Sequence, residues 1–326
     1  MARKIAVIGL GRLGVSIGMA LAGKKDQFTT TGLDRNGDVA HEVGKLKVFD
    51  KLTNRLPEVI EGSDAVILAV PFDEVEITLK AAAPLITAKT LILDTSPVKK
   101  ITYDWAAASL PAGSQFLSFT PIINAIHLIV QDTGIKAAAA DLFATGLFLT
   151  CGNEATTSES SQFAGEIAEA LGGGFYFGEL AELDGLLAAY TLLPELAAAA
   201  YFNSVSTEGG WHYGCKLTNS NFATLCRPMA DPVEREDFGA AALANRENTL
   251  RVMDNYLREL TILRDQLEKG QASELRANLG GAIAGHAAWW GSRLSGKWEQ
   301  SGKGNMRGDE GFFQAALGIP ANKKKK

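Results

Sequence analysis

The chain has 326 residues, of which 46% are hydrophobic and 21% are charged, and its net charge is −5. This composition is that of an ordinary globular protein, and the length is sufficient for two domains with separate cores. The charge balance gives no support to a nucleic-acid-binding role. The basic run at 323–326 is short and terminal, so we expect a solvated tail there.

The cysteines are few, odd in number and without paired spacing, which argues against a disulfide framework or a zinc motif. They are Cys151, Cys215 and Cys226. The first residues lead into a strand that is too short for the apolar region of a signal peptide. No long uninterrupted apolar run predicts a membrane span. The closest, at 186–202, contains Pro194 and Glu195, which favours a buried helix. We therefore expect a cytoplasmic protein.

Short apolar runs alternate with amphipathic stretches in the first half of the chain. The runs predict strands at 5–8, 30–33, 65–70, 90–93 and 116–119, and the helical patterns lie at 13–22, 74–83 and 98–108. This alternation predicts a doubly wound, mostly parallel α/β sheet with helices on both faces. Further runs at 147–150 and 175–177 flank a helical pattern at 158–171. We expect them to extend the same sheet, so the first domain should span residues 1–178.

The pattern becomes helical after Gly178, which predicts an all-helical second domain at 179–326. Residues 183–193 are apolar nearly all round, as in a helix buried on all sides, and Pro194 should kink that helix. A later helix carries one apolar stripe: Leu250, Met253, Leu257, Leu260 and Leu267. The stripe favours a homodimer, although packing within the chain would explain it nearly as well. The Gly-rich stretch at 301–311 predicts a loop, either a linker or a cover over a site.

A Gly-x-Gly-x-x-Gly motif at 9–14 follows the first predicted strand directly. Gly9 permits the tight turn, Gly11 lets the backbone approach a pyrophosphate, and Gly14 allows close packing of helix on strand. The N–H groups and the positive dipole end of the following helix would face the phosphates. The motif has a strand before it, a helix after it, and then a second strand that ends in an acidic residue. These features together favour a dinucleotide site over a Gly-rich turn that binds no nucleotide. The expected cofactor-binding residues are Gly9, Leu10, Gly11, Arg12, Leu13, Gly14, Asp34, Arg35, Val70 and Pro71.

The choice of cofactor depends on the residues after the second strand. Asp34 could accept hydrogen bonds from the adenine ribose hydroxyls and would repel a 2′-phosphate, which favours NAD over NADP. Arg35 and Arg12 weaken that preference, because either could pair with such a phosphate. Val70 and Pro71 end the third predicted strand and should lie beside the cofactor, unless the proline merely ends the strand.

The chain resembles the prephenate/arogenate dehydrogenase family, the oxidoreductases of tyrosine biosynthesis. The motifs that carry the resemblance lie at 9–16, 64–71, 93–99, 192–194 and 223–232, the last followed by Asn245. The resemblance implies a Rossmann domain and a helical substrate domain with the site between them. It also implies NAD(P)-dependent oxidation of a carboxylated cyclohexadienol, with decarboxylation to an aromatic product.

Three histidines of the family are replaced in this chain. Thr120 stands where the family has the histidine of a Gly-His-Pro motif, which by resemblance interacts with the substrate's ring hydroxyl. Leu183 precedes Asp184 in place of a His-Asp pair, and Glu195 follows Pro194 in place of a histidine. The oxidation needs an acceptor for the hydroxyl proton, and threonine has no suitable pKa. Either another group accepts the proton, or the substrate differs.

The candidate catalytic residues are Ser96, Thr120 and His127. By resemblance, Ser96 contacts the cofactor and the substrate hydroxyl, although Ser followed by Pro97 is also a helix-start signature. His127 could replace the missing histidine or be a partly buried structural residue. His212 is a weaker candidate. We expect structural roles for His41 and His286, and for Asp184 as a helix-start acid.

The candidate substrate-binding residues are Arg227, Lys99, Asn124 and Glu195. Arg227 could bind a carboxylate in bidentate fashion, as the resemblance implies, or form a structural ion pair. Lys99 could supply positive charge to the substrate or be a solvated first-turn residue. Glu195 could be a buried base with a raised pKa or be solvated at the kink.

Two other functions remain open. One is a related dehydrogenase with a different small carboxylated alcohol as its substrate. The other is a non-catalytic nucleotide-binding protein that retains the glycine motif but has lost its acid–base group.

Overall fold

The computed structural model describes residues 2–129, 132–230 and 238–295. The predicted loop at 301–311 and the predicted solvated tail at 323–326 lie outside these residues.

A six-stranded parallel sheet occupies the centre of the first half, with the strand order β3-β2-β1-β4-β5-β6. Its strands are β1 (Arg3–Ile8), β2 (Phe28–Leu33), β3 (Lys51–Leu52), β4 (Ala65–Leu68), β5 (Leu91–Asp94) and β6 (Gln115–Ser118). The five apolar runs predicted as strands at 5–119 are confirmed. The strand β3 was not predicted, because two residues carry no readable period.

Helices connect these strands on both faces, which confirms the doubly wound fold. They are α1 (Arg12–Leu21), α2 (Gly37–Leu46), α3 (Leu56–Ile60), α4 (Val75–Ala82) and α5 (Lys100–Ser109). Alternate residues of β1 face opposite sides of the sheet, as the pleat requires. Ile5 and Val7 join one buried apolar cluster, whereas Ala6 and Ile8 join the other.

Three further strands form a separate sheet in the order β7-β8-β9. They are β7 (Thr120–Ile122), β8 (Leu147–Thr150) and β9 (Gly174–Phe177), and α6 (Ser158–Ala170) lies between the last two. The prediction that 147–150 and 175–177 extend the main sheet is therefore wrong. An apolar run predicts a strand but not its partner. Here β8 pairs antiparallel with β7, and the ring of Phe119 stacks on Phe148 at 4.2 Å between centroids.

The described residues beyond Phe177 form helices and no strand, as the sequence predicts. The helices are α7 (Leu180–Leu187), α8 (Leu193–Ser206), α9 (Trp211–Gly214), α10 (Ser220–Cys226), α11 (Phe238–Ala244), α12 (Arg246–Glu268) and α13 (Ala272–Ser295). A π-helical turn, Ala188–Leu192, separates α7 from α8 just before Pro194. Proline lacks an N–H group for an i→i−4 bond, which explains the expected interruption at this point.

The segment Leu180–Ser206 is long and apolar enough to cross a membrane by length and composition alone, and 39% of its most apolar window is buried within the protein. A core helix passes the same test. Leu183, Leu186 and Leu187 pack in the apolar cluster beneath β4 and β5, which fits a core helix. The prediction of burial on all sides is wrong, because Tyr190 is 66% exposed and directs its ring away from that core.

The predicted apolar stripe on α12 lies on the surface of the chain. Leu250, Leu257 and Leu267 are 50%, 55% and 66% exposed, so packing within the described residues does not cover them. The neighbouring α13 adds Leu279 and Ile283, which are also exposed.

Candidate active site

The glycine motif forms a tight cradle between β1 and α1. Gly9 has a φ of +93°, and a Cβ atom there would lie 2.3 Å from the carbonyl oxygen of Ala69. A Cβ atom on Gly14 would lie 1.9 Å from the carbonyl oxygen of Gly9. The chain therefore requires glycine at both positions, and Gly11 is the N-cap of α1. The lack of side chains at these glycines and the helix N-terminus fit the pyrophosphate of a dinucleotide.

The carboxylate of Asp34 fixes this cradle from the end of β2. Its Oδ2 accepts a hydrogen bond from the Leu10 backbone N–H at 2.7 Å, and its Oδ1 accepts one from the Asn36 N–H at 2.8 Å. A carboxylate offers about four acceptor positions, so it retains capacity for ribose hydroxyls.

Both arginines that could pair with a 2′-phosphate, and so oppose the preference for NAD, already have partners within the protein. Arg12 donates through Nε to the carbonyl oxygen of Ala137 at 3.2 Å and through Nη2 to that of His127 at 2.9 Å. Arg35 forms an ion pair with Glu74, which follows β4. Arg12 thus ties the start of α1 to His127 and Ala137. Val70 and Pro71 lie beyond the carboxyl end of β4, which ends at Leu68 rather than at residue 70.

A buried group of polar side chains lies where β5 and β6 end. We call Asp94, Ser96, Lys99 and Thr120 the polar cluster. Ser96 Oγ donates to Asp94 Oδ2 at 2.6 Å, and the Ser96 N–H donates to Asp94 Oδ1 at 3.1 Å. Thr120 Oγ1 donates to the Ser96 carbonyl oxygen at 2.9 Å. The structure thus brings together two of the three predicted catalytic residues.

Lys99 is fully buried within the polar cluster. Its ammonium donates to the Ser96 carbonyl oxygen, and its Nζ lies 3.8 Å from Asp94 Oδ2. Burial lowers the pKa of Lys99 below its ordinary value, and the Asp94 carboxylate opposes that shift. The alternative of a solvated first-turn lysine is therefore wrong.

The N-terminus of α5 is capped from another helix. Asp184, in the middle of α7, accepts the backbone N–H of Lys99 at 2.6 Å and that of Lys100 at 2.9 Å. Burial raises the pKa of Asp184, although these two hydrogen bonds oppose the shift. The prediction that Ser96 caps this helix is wrong, because Ser96 lies outside it and bonds to Asp94. The prediction that Asp184 begins its own helix is also wrong. It lies in the middle of α7 and caps the start of α5.

His127 lies apart from the polar cluster. Its Nε2 is 2.7 Å from Asp141 Oδ1, and its backbone carbonyl accepts from Arg12. Asn124 serves the same segment: its side-chain oxygen accepts the Ile126 N–H, and its Nδ2 donates to the Asp141 carbonyl. Both residues therefore link the turn at 124–127 to Asp141. The other histidines, His41, His212 and His286, are exposed.

The remaining substrate candidates lie on the helical side. Arg227 is half-buried after α10, and its Nη2 donates to the Asp132 carbonyl oxygen at 3.1 Å. Glu195 is buried in the first turn of α8, so the alternative of a solvated glutamate is wrong.

Sequence reasoning missed Asp94 and Glu74. Asp94 closes β5 as Asp34 closes β2, so its position at the carboxyl end of a parallel strand was a usable signal. Glu74 gave no such signal, because its contact with Arg35 joins residues 39 positions apart in the chain.

Comparison with known proteins identifies the first domain. Residues 17–177 match the family described as prephenate dehydrogenase, nucleotide-binding domain. A cyclohexadienyl dehydrogenase of Zymomonas mobilis is 25% identical over 206 residues, which cover 63% of this chain and 68% of that protein.

Solved structures share the fold. Prephenate dehydrogenase from Aquifex aeolicus, in complex with hydroxyphenyl propionate and NAD+, has a TM-score of 0.76 at 17% identity, covering 88% of this chain and 98% of its own. Synechocystis arogenate dehydrogenase has a TM-score of 0.67 at 21% identity, covering 88% and 99%. These likenesses extend over both the Rossmann sheet and the helices that follow it. The family resemblance is confirmed: residues 17–177 match the nucleotide-binding domain of prephenate dehydrogenases.

Proposed function

We propose that this chain is an NAD(P)-dependent dehydrogenase of tyrosine biosynthesis that oxidises prephenate or arogenate, with loss of the ring carboxylate as carbon dioxide. The observation that carries the proposal is the placement of the polar cluster. It lies at the same edge of the sheet as the glycine cradle, beyond the carboxyl ends of neighbouring parallel strands. Ligands of doubly wound sheets bind at this edge. Relatives that bear the names of prephenate, arogenate and cyclohexadienyl dehydrogenases support the same chemistry.

The cofactor-binding residues in this proposal are the cradle at 9–14, Asp34, Val70 and Pro71. When bound, a nicotinamide dinucleotide supplies the acceptor for the substrate's hydride. The cradle binds the pyrophosphate through backbone N–H groups, and Asp34 binds the adenine ribose. We assign NAD as the preferred cofactor, because Asp34 repels a 2′-phosphate.

The proton acceptor is the pair formed by Ser96 and Asp94. Ser96 Oγ already donates its own proton to Asp94 Oδ2. It can therefore accept the substrate's hydroxyl proton as its own moves to Asp94. The adjacent ammonium of Lys99, with Nζ 3.8 Å from Asp94 Oδ2, attracts the negative charge of that carboxylate. Thr120 orients the Ser96 backbone through the carbonyl oxygen and takes no proton.

The substrate's carboxylate is assigned to Arg227. A guanidinium binds a carboxylate with two parallel hydrogen bonds, and this arginine follows α10 on the helical side of the chain. Glu195 lies buried on α8 and is the further substrate-side candidate. His127 and Asn124 are not assigned to the substrate, because their side chains bond to Asp141 and Ile126.

The exposed stripe on α12 supports a homodimer. Three leucines that are at least half exposed lie along one helix, beside the exposed apolar residues of α13. Covering such a surface with a second copy removes it from water. Sedimentation should therefore show a dimer, and Leu257→Glu should shift it toward the monomer. A wild-type monomer at micromolar concentration would contradict this part of the proposal. We assign the protein to the cytoplasm, as expected for a soluble biosynthetic enzyme.

The enzymatic proposal is tested by steady-state formation of NADH with prephenate and with arogenate. Ser96→Ala and Asp94→Asn should each lower kcat by roughly 100-fold or more, since general-base catalysis contributes about 10²–10⁴. Ser204→Ala is the matched control, because this exposed serine only bonds to the Tyr201 carbonyl of its own helix. No turnover of either substrate at saturating cofactor would overturn the proposal.

A second candidate is a dehydrogenase of the same mechanism with a different small carboxylated alcohol. The observation that favours it is Thr120, whose hydroxyl is engaged with Ser96 in the place of the family's histidine. This second candidate would be favoured if the enzyme oxidised another carboxylated alcohol but neither prephenate nor arogenate. Cofactor binding without turnover of any candidate alcohol would instead favour a non-catalytic nucleotide-binding protein.

A further inference from the structure

The adenosine edge of the glycine cradle carries an ion pair that the proposed mechanism does not use. Arg35 directly follows Asp34 at the end of β2. Its partner Glu74 ends the 3₁₀ turn Phe72–Glu74, which follows β4. The strands β2 and β4 are the two neighbours of β1, so the pair joins the two connections that flank the glycine cradle.

The two members of this pair differ in how firmly they are held. The Arg35 side chain is 78% exposed, whereas that of Glu74 is only 20% exposed. The glutamate therefore has a fixed position, and the long arginine side chain follows it. Burial raises the pKa of Glu74, Arg35 opposes the shift, and the carboxylates of Asp73 and Asp34 add to it. Asp34 and Glu74 are thus close enough to repel each other across this edge.

This arrangement bears on the choice between NAD and NADP. The additional phosphate of NADP lies on the adenine ribose, beside the residue at the end of β2, where a nearby arginine would bind it. Arg12 is engaged with two backbone carbonyls, and Arg35 is engaged with Glu74. An incoming 2′-phosphate would meet two carboxylates and an arginine that is already paired.

We propose that Glu74 is a specificity-determining residue that favours NAD over NADP. It holds the Arg35 guanidinium and adds a second negative charge beside Asp34. Removing the charge of Glu74 would release Arg35 to bind the 2′-phosphate. This inference rests on the proposed dinucleotide-binding function and goes beyond it by assigning the cofactor choice to a residue outside the glycine motif.

The test is the dissociation constants of NAD and NADP, measured by tryptophan fluorescence without substrate. Glu74→Gln should tighten NADP binding about tenfold and change NAD binding less than twofold, because only the 2′-phosphate gains a guanidinium partner. The double variant Glu74→Gln/Arg35→Gln should lose that gain. Glu76→Gln is the matched control, because Glu76 pairs with Lys80 on α4 and should leave both constants unchanged.

The outcomes separate the inference from the function on which it rests. An unchanged NADP-to-NAD ratio in Glu74→Gln, with NAD binding intact, would overturn the role of Glu74 alone. A gain that persists in the double variant would overturn the role of Arg35. A wild-type chain that binds neither dinucleotide would overturn both the inference and the proposed function. Circular dichroism checks the fold of each variant, since the Glu74 side chain is only 20% exposed.

Discussion

Replacing Lys99 with methionine tests whether the polar cluster is a buried ion pair. Lys99 and Asp94 are both fully buried, with Nζ and Oδ2 separated by 3.8 Å. At an effective dielectric constant of about 20, two unit charges at this distance attract by about 4 kcal/mol. Removing one member of a buried pair leaves an uncompensated charge and costs about 3–5 kcal/mol. Because the lowered pKa of Lys99 means that the cost of burying its charge outweighs this attraction, we expect Lys99→Met to lower the free energy of unfolding by less than that range, by about 1 kcal/mol, through the lost hydrogen bond to the Ser96 carbonyl oxygen.

The assay is a double-mutant cycle by denaturant unfolding of the ligand-free chain. Asp94→Asn alone should also destabilise the chain, because it leaves the ammonium buried. The double variant Lys99→Met/Asp94→Asn should lose clearly less than the sum of the single losses, with a coupling energy of about 2 kcal/mol. Additive losses within about 0.5 kcal/mol would refute the reasoning and would mean that Lys99 is uncharged in the folded protein.

The buried Lys99 should also make the free energy of unfolding depend on pH. Burial lowers the pKa of Lys99 below 10.5, its value in the unfolded chain. Between the two values the unfolded chain binds more protons, so the free energy of unfolding contributed by this group rises with pH. Below the folded-state pKa the penalty for burying the charge is constant. The wild-type chain should thus gain stability relative to Lys99→Met as the pH approaches 10.5, and a falling difference would contradict the lowered pKa.

Three further substitutions test single contacts. Gly14→Ala should weaken dinucleotide binding about tenfold or more, since its Cβ would lie 1.9 Å from the Gly9 carbonyl oxygen. Gly23→Ala is the control, because a Cβ at Gly23 meets no atom within 4 Å and should leave binding unchanged. Fluorescence titration with the dinucleotide measures both dissociation constants. Asp184→Ala should lower the free energy of unfolding by about 2–4 kcal/mol in denaturant, because two buried backbone N–H groups of α5 lose a charged acceptor. Arg12→Lys should make the backbone amides next to His127 and Ala137 exchange their hydrogens faster, because an ammonium cannot span both carbonyl acceptors. Unchanged exchange would argue against that tie.

The features that sequence could predict are those that depend on residues near one another in the chain. The strands β1 and β4 appear as apolar runs, and the glycines at 9 and 14 are fixed by a turn six residues long. The burial of Lys99 could not be predicted, because a lysine after a strand is usually solvated, and its surroundings come from β7 and α7. The cap from Asp184 joins residues 85 positions apart. Contacts between residues far apart in the chain are therefore the part of the site that local sequence patterns do not predict.

This distinction bears on the missing histidines. The hydrogen bonds between Asp94 and Ser96 join residues only two positions apart. They therefore depend on the local turn after β5, with an aspartate at the end of the strand and a serine two residues later. The position of Thr120 depends instead on the reversal of the chain into β7, and its side chain touches the turn only through the Ser96 carbonyl. Replacing a histidine by threonine at position 120 therefore leaves the Ser96–Asp94 pair intact. In the proposed mechanism the proton leaves through that pair, so the enzyme retains an acceptor without any histidine near the substrate. The pH dependence of kcat should then lack a histidine-like ionisation in the wild-type chain and should change in Asp94→Asn, whereas a His127→Ala variant should retain the wild-type profile.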